Sequence, residues 1–157
     1  MSEIETSIRA LASARRLPQA HLERWLGFEP DGKAAFLAIA QSLHLRTGPI
    51  ISALEMLEEI SVREGQPEAA ILGGPGVKRI VQGPGSAPER AHAFLEELRS
   101  IRYPQLTRLA RRIEAEIAAL KLPRGITIVM PKDLNSGEFT IELRARSAQE
   151  LETFVET

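Results

Sequence analysis

Cysteine is absent from the 157-residue chain, so disulfides, thiolate metal centres and cysteine nucleophiles are all excluded. That lack fits a reducing compartment, and a cytoplasmic location is expected. No apolar run approaches the roughly 20 residues that a membrane span requires, and no membrane partner is expected. The opening "MSEIETSIRA" is polar and acidic, the wrong pattern for a secretory leader. Histidine occurs only three times. His21, His44 and His92 lie too far apart for H-E-x-x-H or a similar ligand spacing, and structural histidines are expected. No serine sits in a G-x-S-x-G elbow. The chain is therefore expected to be no enzyme, with no catalytic residue, no cofactor and no metal.

What is there is ordinary in bulk. Hydrophobic residues make up 43% and charged residues 26%, as in one globular domain or two small units sharing a core. A chain of this size buries roughly two-thirds of its unfolded surface, enough for a fold without staples.

The stretch "LGGPGVKRIVQGPG", Leu72 to Gly85, invites a nucleotide-loop reading. A P-loop needs G-x-x-x-x-G-K-[ST], coming off a strand and opening a helix. Here Val77 precedes Lys78, and Arg79 follows it without a hydroxyl. "PEAAIL" before it makes a poor central strand. The dinucleotide pattern G-x-G-x-x-G fails as well. Pro-Gly steps are loop punctuation, so residues 73–85 read as a linker between a helical subdomain, 1–72, and a second subdomain, 86–157.

Helical signals dominate the first part. Ser2 with Glu5 forms a capping box, and Ile4, Ile8 and Leu11 follow at helical spacing. Pro18 opens "PQAHLERWL", with Gly27 as its C′ residue. Asp31 reads as the N-cap of the next helix, which carries Phe36, Ile39, Ala40 and Leu43 on one stripe. Thr47 and Pro49 start another helix, with Ile50, Leu54, Leu57 and Ile60 facing inward. Ser86 with Glu89 makes a second capping box. Tyr103-Pro104 ends that helix and begins the next, because proline is tolerated in a first turn and disfavours a helical residue before it. The new helix carries Leu106, Leu109, Ile113, Ile117 and Leu120. Only then does a period of two appear, in "ITIVM" and "EFTIELRAR", joined by the loop "PKDLNSG". Ser147 with Glu150 caps a last helix. The expected fold is α+β and mainly α, with five or six helices in all. A helical N-terminal part precedes a long helix, a β-hairpin and a terminal helix. The end within "LETFVET" is expected of a piece of a longer chain.

Three constellations bear on function. Glu55, Glu58 and Glu59 share a helix face but have no histidine beside them, so a solvated face is expected. "LHLRTG" joins two helices as a helix-turn-helix does, yet the second begins Thr47, Gly48, Pro49 and continues into "EMLEE", acid that would oppose phosphate. Core packing is the expectation there. The third is electrostatic. Net charge is −1 overall, but residues 99–124 hold seven basic and two acidic groups, and residues 125–157 hold three and six. Arg108, Arg111 and Arg112 share a helix face, and Arg99, Arg102, Lys121 and Arg124 lie near them, together with Tyr103. Forked guanidinium groups suit phosphate. These seven residues are candidate nucleic-acid contacts, unless Glu114, Glu116 and the acidic C-terminal stretch neutralise them internally.

By "LHLRTGPIISALEMLEEISVREG" and "LRSIRYPQLTRLARRIEAEIAALKLPRGI", residues 35–157 resemble the region downstream of the DNA-binding core in ParB-type chromosome-partition proteins. That family's glycine- and arginine-rich nucleotide-binding motif is missing here, so no CTP site carries over. The resemblance implies a non-enzymatic DNA-associated accessory or oligomerising module, and no single residue inherits a role. The expected partners are DNA, and a second copy of the chain or another protein. The alternative is a protein-protein scaffold with no nucleic-acid binding.

Overall fold

Helix start and stop signals set most of the architecture. In a computed structural model, which describes residues 1–131, 134 and 137–156, the chain divides into two compact units, 1–103 and 104–157. The first unit is helical: α1 (Glu3–Ala14), α2 (Gln19–Leu26), α3 (Pro30–Ser42), α4 (Thr47–Glu64), α5 (Glu68–Leu72), α6 (Pro75–Gln82) and α7 (Ala87–Arg102). The second holds α8 (Pro104–Ala119), β1 (Ile126–Val129), β2 (Thr140–Leu143) and α9 (Ala148–Glu156). The α+β, mainly α class stands. Nine helices among the described residues exceed the five or six expected.

The core of the first unit is built on α4. Its Ile50, Leu54, Leu57 and Ile60 are buried, as their helical spacing requires. The helix packs against α2, α5 and α7. Phe36 of α3 meets Trp25 of α2 edge to face, with ring centroids 4.7 Å apart at 61°, an arrangement aromatic quadrupoles favour. Phe94 and Leu98 of α7 enter the same core.

That last contact moves a boundary. The expected subdomains, 1–72 and 86–157 around a linker at 73–85, do not match the two units. Residues 75–82 form α6, with Gly74 as N-cap, Pro75 in the first turn and Gly83 as C-cap. Val77 is buried, and Ile80 and Val81 pack against the core at i+3 and i+4 from it. The Pro-Gly steps are therefore helix punctuation. Gly83 is needed for space, since a Cβ there would stand 2.5 Å from the Arg79 carbonyl oxygen. "PEAAIL" holds the short α5, whose Ile71 and Leu72 are buried. The division falls instead at Tyr103-Pro104, the predicted helix break, because α7 belongs to the first core.

Two caps also differ from expectation. Helix α3 begins at Pro30 with Glu29 as N-cap and no side-chain cap bond, placing Asp31 within the first turn. Proline fixes the first-turn dihedral and starts the helix two residues early. Gly27 is the C-cap of α2 at φ −77°, so no left-handed residue is used there. The Ser86–Glu89 capping box forms as expected, with both bonds present.

Ser2 Oγ accepts the Glu5 N–H at 3.2 Å, and the Glu5 carboxylate accepts from Lys33 Nζ of α3 at 2.7 Å. The bond from Lys33, followed by its charge, holds the Glu5 carboxyl below its ordinary value. The Glu89 carboxyl is lowered too, by the Ser86 backbone N–H and then by its hydroxyl. A depressed folded pKa gives stability that is fully present above the unfolded value and is lost as pH falls through the folded one. The urea midpoint should therefore drop as pH is taken from about 6 to about 3, where carboxylates titrate. Lys33→Met should lower the midpoint at the upper pH and flatten the drop, leaving the share owed to Glu89. An unchanged slope in Lys33→Met would contradict this.

The second unit is a hairpin between two helices. β1 and β2 pair antiparallel with Ile126 opposite Leu143 and Ile128 opposite Ile141. Gly125 enters the hairpin at φ 99°, where a side chain is strained, and a Cβ would stand 2.5 Å from the Arg144 carbonyl oxygen. Glu150 N–H donates to Ser147 Oγ at 3.1 Å, capping α9 as predicted. The expected loop "PKDLNSG" falls largely on residues 132, 133, 135 and 136, outside the described residues.

Candidate functional site

The seven basic candidates are divided between the two units. Arg99 and Arg102 belong to α7 in the first unit, whereas Arg108, Arg111, Arg112, Lys121 and Arg124 belong to the second. Arg99 donates to Glu96 on its own helix. Arg102 meets both carboxylate oxygens of Glu59 on α4, with Nη2 at 2.6 Å and Nε at 2.5 Å, and its guanidinium lies over the Tyr103 ring. Beside it, Arg63 donates to the carbonyl of Arg102 and, at 2.6 Å, to that of Ile101. Those are orphan carbonyls at a helix C-terminus, where a cation also suits the dipole. Arg102 thus fastens α7 to α4. Arg112 sits 3.4 Å from Glu116 one turn on, a fully solvated pair worth little. Arg108, Arg111, Lys121 and Arg124 have no ion pair among the described residues and are exposed.

The acidic face of α4 is engaged rather than merely solvated. Glu55 accepts from His21 at 3.2 Å, Glu58 pairs with Arg24 at 2.6 Å, and Glu59 with Arg102. These are links from α4 to α2 and α7. No group of three or more His, Asp or Glu is placed to hold a metal ion among the described residues. The helix-turn-helix geometry serves packing, since Ile50, Ala53 and Leu54 at the start of α4 are buried. The glycine stretch offers no phosphate cradle, because Lys78 N–H is spent on the Gly74 carbonyl inside α6.

Two further features arise from packing between distant parts of the sequence. His44 and His92, 48 positions apart in the chain, line one groove in the first unit, between the α3–α4 turn and the start of α7. In the second unit, no described residue is buried. Leu120 and Ile141 are 61% and 62% exposed, and with Ile113, Ile117, Ile128 and Phe139 they line an apolar groove of about 320 Å³ between α8 and the hairpin. The α8 leucine stripe was legible, but not that its own unit leaves it half uncovered. No helix is long and apolar enough to cross a membrane among the described residues. Comparison with protein-family models, with curated proteins and with solved structures returns no match.

Proposed function

We propose that this chain is a non-enzymatic association protein of the cytoplasm, in which residues 104–157 pair with a second copy of the same chain. The observation that supports this reading is the contrast between the units. Residues 1–103 hold every buried hydrophobic side chain among the described residues, while the described residues of 104–157 show an apolar face and none that is buried. An unshielded hairpin is marginal in water, and contiguous apolar surface of this kind marks an interface. Charge favours a like partner. Residues 104–124 carry five basic and two acidic groups, and residues 125–157 three and six, so a two-fold pairing that sets each positive stretch against a negative one is favoured by charge. Light scattering after size exclusion tests it, and a monomer at every concentration rejects it.

A second reading, a DNA-associated accessory module of a ParB-like partition protein, draws on Arg108 and Arg111 standing without ion pairs among the described residues. On that reading affinity for duplex DNA falls steeply between about 50 and about 200 mM salt. Replacing Arg108, Arg111 and Arg112 together by glutamate then abolishes the shift of DNA in a gel. Arg99 and Arg102, already paired, contribute nothing to that contact. Salt-independent binding, or none, removes this reading and leaves the first untouched.

A further inference from the structure

We propose that the groove holding His44 and His92 binds a small amphiphilic carboxylate, its alkyl chain on the floor and its anionic head at the rim. The cavity measures about 600 Å³, within the range that small-molecule sites occupy. Its floor is apolar: Leu43 and Leu45 from the α3–α4 turn, and Ala91 and Leu95 from α7. The polar side chains that line it, His44, Arg46 and His92, each carry an N–H donor, and no carboxylate is among them. All three are exposed, and their side chains have no partner among the described residues.

Two other observations point the same way. Helix α4 starts at this groove, with Arg46 as N-cap, no side-chain cap bond and no acidic residue in its first turn. Its positive end therefore has no compensating acid within the helix's own first turn. The acids nearest His92 on its own helix are taken elsewhere, Glu89 by Ser86 and Glu96 by Arg99. An alkyl chain alone would leave the three donors unused, and an inorganic anion would leave the floor bare. A ligand with one carboxylate and an alkyl tail uses both.

His44 supplies a way to separate binding from folding. It holds φ 49° directly after α3, where Leu45 N–H bonds back to the Ala40 carbonyl at 2.9 Å. This is the left-handed cap position that glycine fills without a Cβ penalty. His44→Gly should therefore raise the melting temperature while weakening the ligand.

The test is amide correlation spectroscopy of the full chain titrated with sodium dodecanoate, with acetate and dodecanol as head-only and tail-only arms. Expected are saturable shifts confined to residues 43–49 and 87–95, with Kd below about 100 μM. Arg46→Glu should weaken binding at least tenfold, and Ala91→Trp, which fills the floor, should abolish it. His44→Gly should weaken it severalfold in a protein that melts higher. Dodecanol binding as tightly as dodecanoate would overturn the proposal. So would shifts confined to residues 104–156, an unchanged affinity in Arg46→Glu, or the same shifts produced by raising protein concentration alone. None of these outcomes depends on whether residues 104–157 self-associate.

Discussion

Glutamate at both Leu120 and Ile141 is expected to convert the proposed dimer to a monomer, weakening association by at least about 100-fold. Both residues line the α8–hairpin groove and are more than half exposed. A carboxylate at either position stays in water in the lone unit and costs its fold little. In the dimer the same carboxylates enter an apolar contact without a partner, a penalty of several kcal/mol before relaxation. Val62→Glu is the control. Val62 is 81% exposed, it lies on α4 in the first unit, and its replacement should leave the mass unchanged. Sedimentation of the three proteins over a range of concentrations decides the matter. If the double variant sediments as the parent does, the groove is not where copies meet.

Self-association also bears on the basic stretch. If the positive stretch of one copy lies against the negative stretch of the other, raising salt weakens the dimer, because exposed charge pairs are screened. A nucleic-acid contact through Arg108 and Arg111 weakens with salt as well, but it requires DNA to be present. Mass measured without DNA therefore separates the two effects.

Local signals carried most of the fold. The Ser86–Glu89 box, the α4 stripe at Ile50, Leu54, Leu57 and Ile60, and the break at Tyr103-Pro104 each rest on residues within one or two turns. All three form as spacing predicts. The glycine-rich stretch misled because glycine and proline punctuate helices as readily as loops, and only the Val77, Ile80, Val81 spacing distinguishes the two. Charge pairing divided along the same line. Arg112 with Glu116 is a one-turn pair and legible. Arg102 with Glu59 spans 43 positions, and nothing local announces it. The groove at His44 and His92 is of that second sort, since it exists only because α7 packs on α4.

Phe36→Ala is expected to remove about 3–5 kcal/mol from the first unit, a large share of the roughly 5–15 kcal/mol that a domain has. Phe36 is fully buried and supports the Trp25 ring edge to face, so its loss leaves a cavity and an unsupported indole. Trp25 is the only tryptophan in the chain, so its fluorescence reports unfolding of residues 1–103 alone, while far-ultraviolet circular dichroism reports both units. The substitution should carry the fluorescence transition to much lower urea. The dichroism should then resolve into two steps, the second set by residues 104–157. That second step should depend on protein concentration, because mass action ties a dimer's stability to it. Coincident transitions in the variant, at a midpoint independent of concentration, would show that residues 104–157 gain their stability from the first unit and not from a second copy.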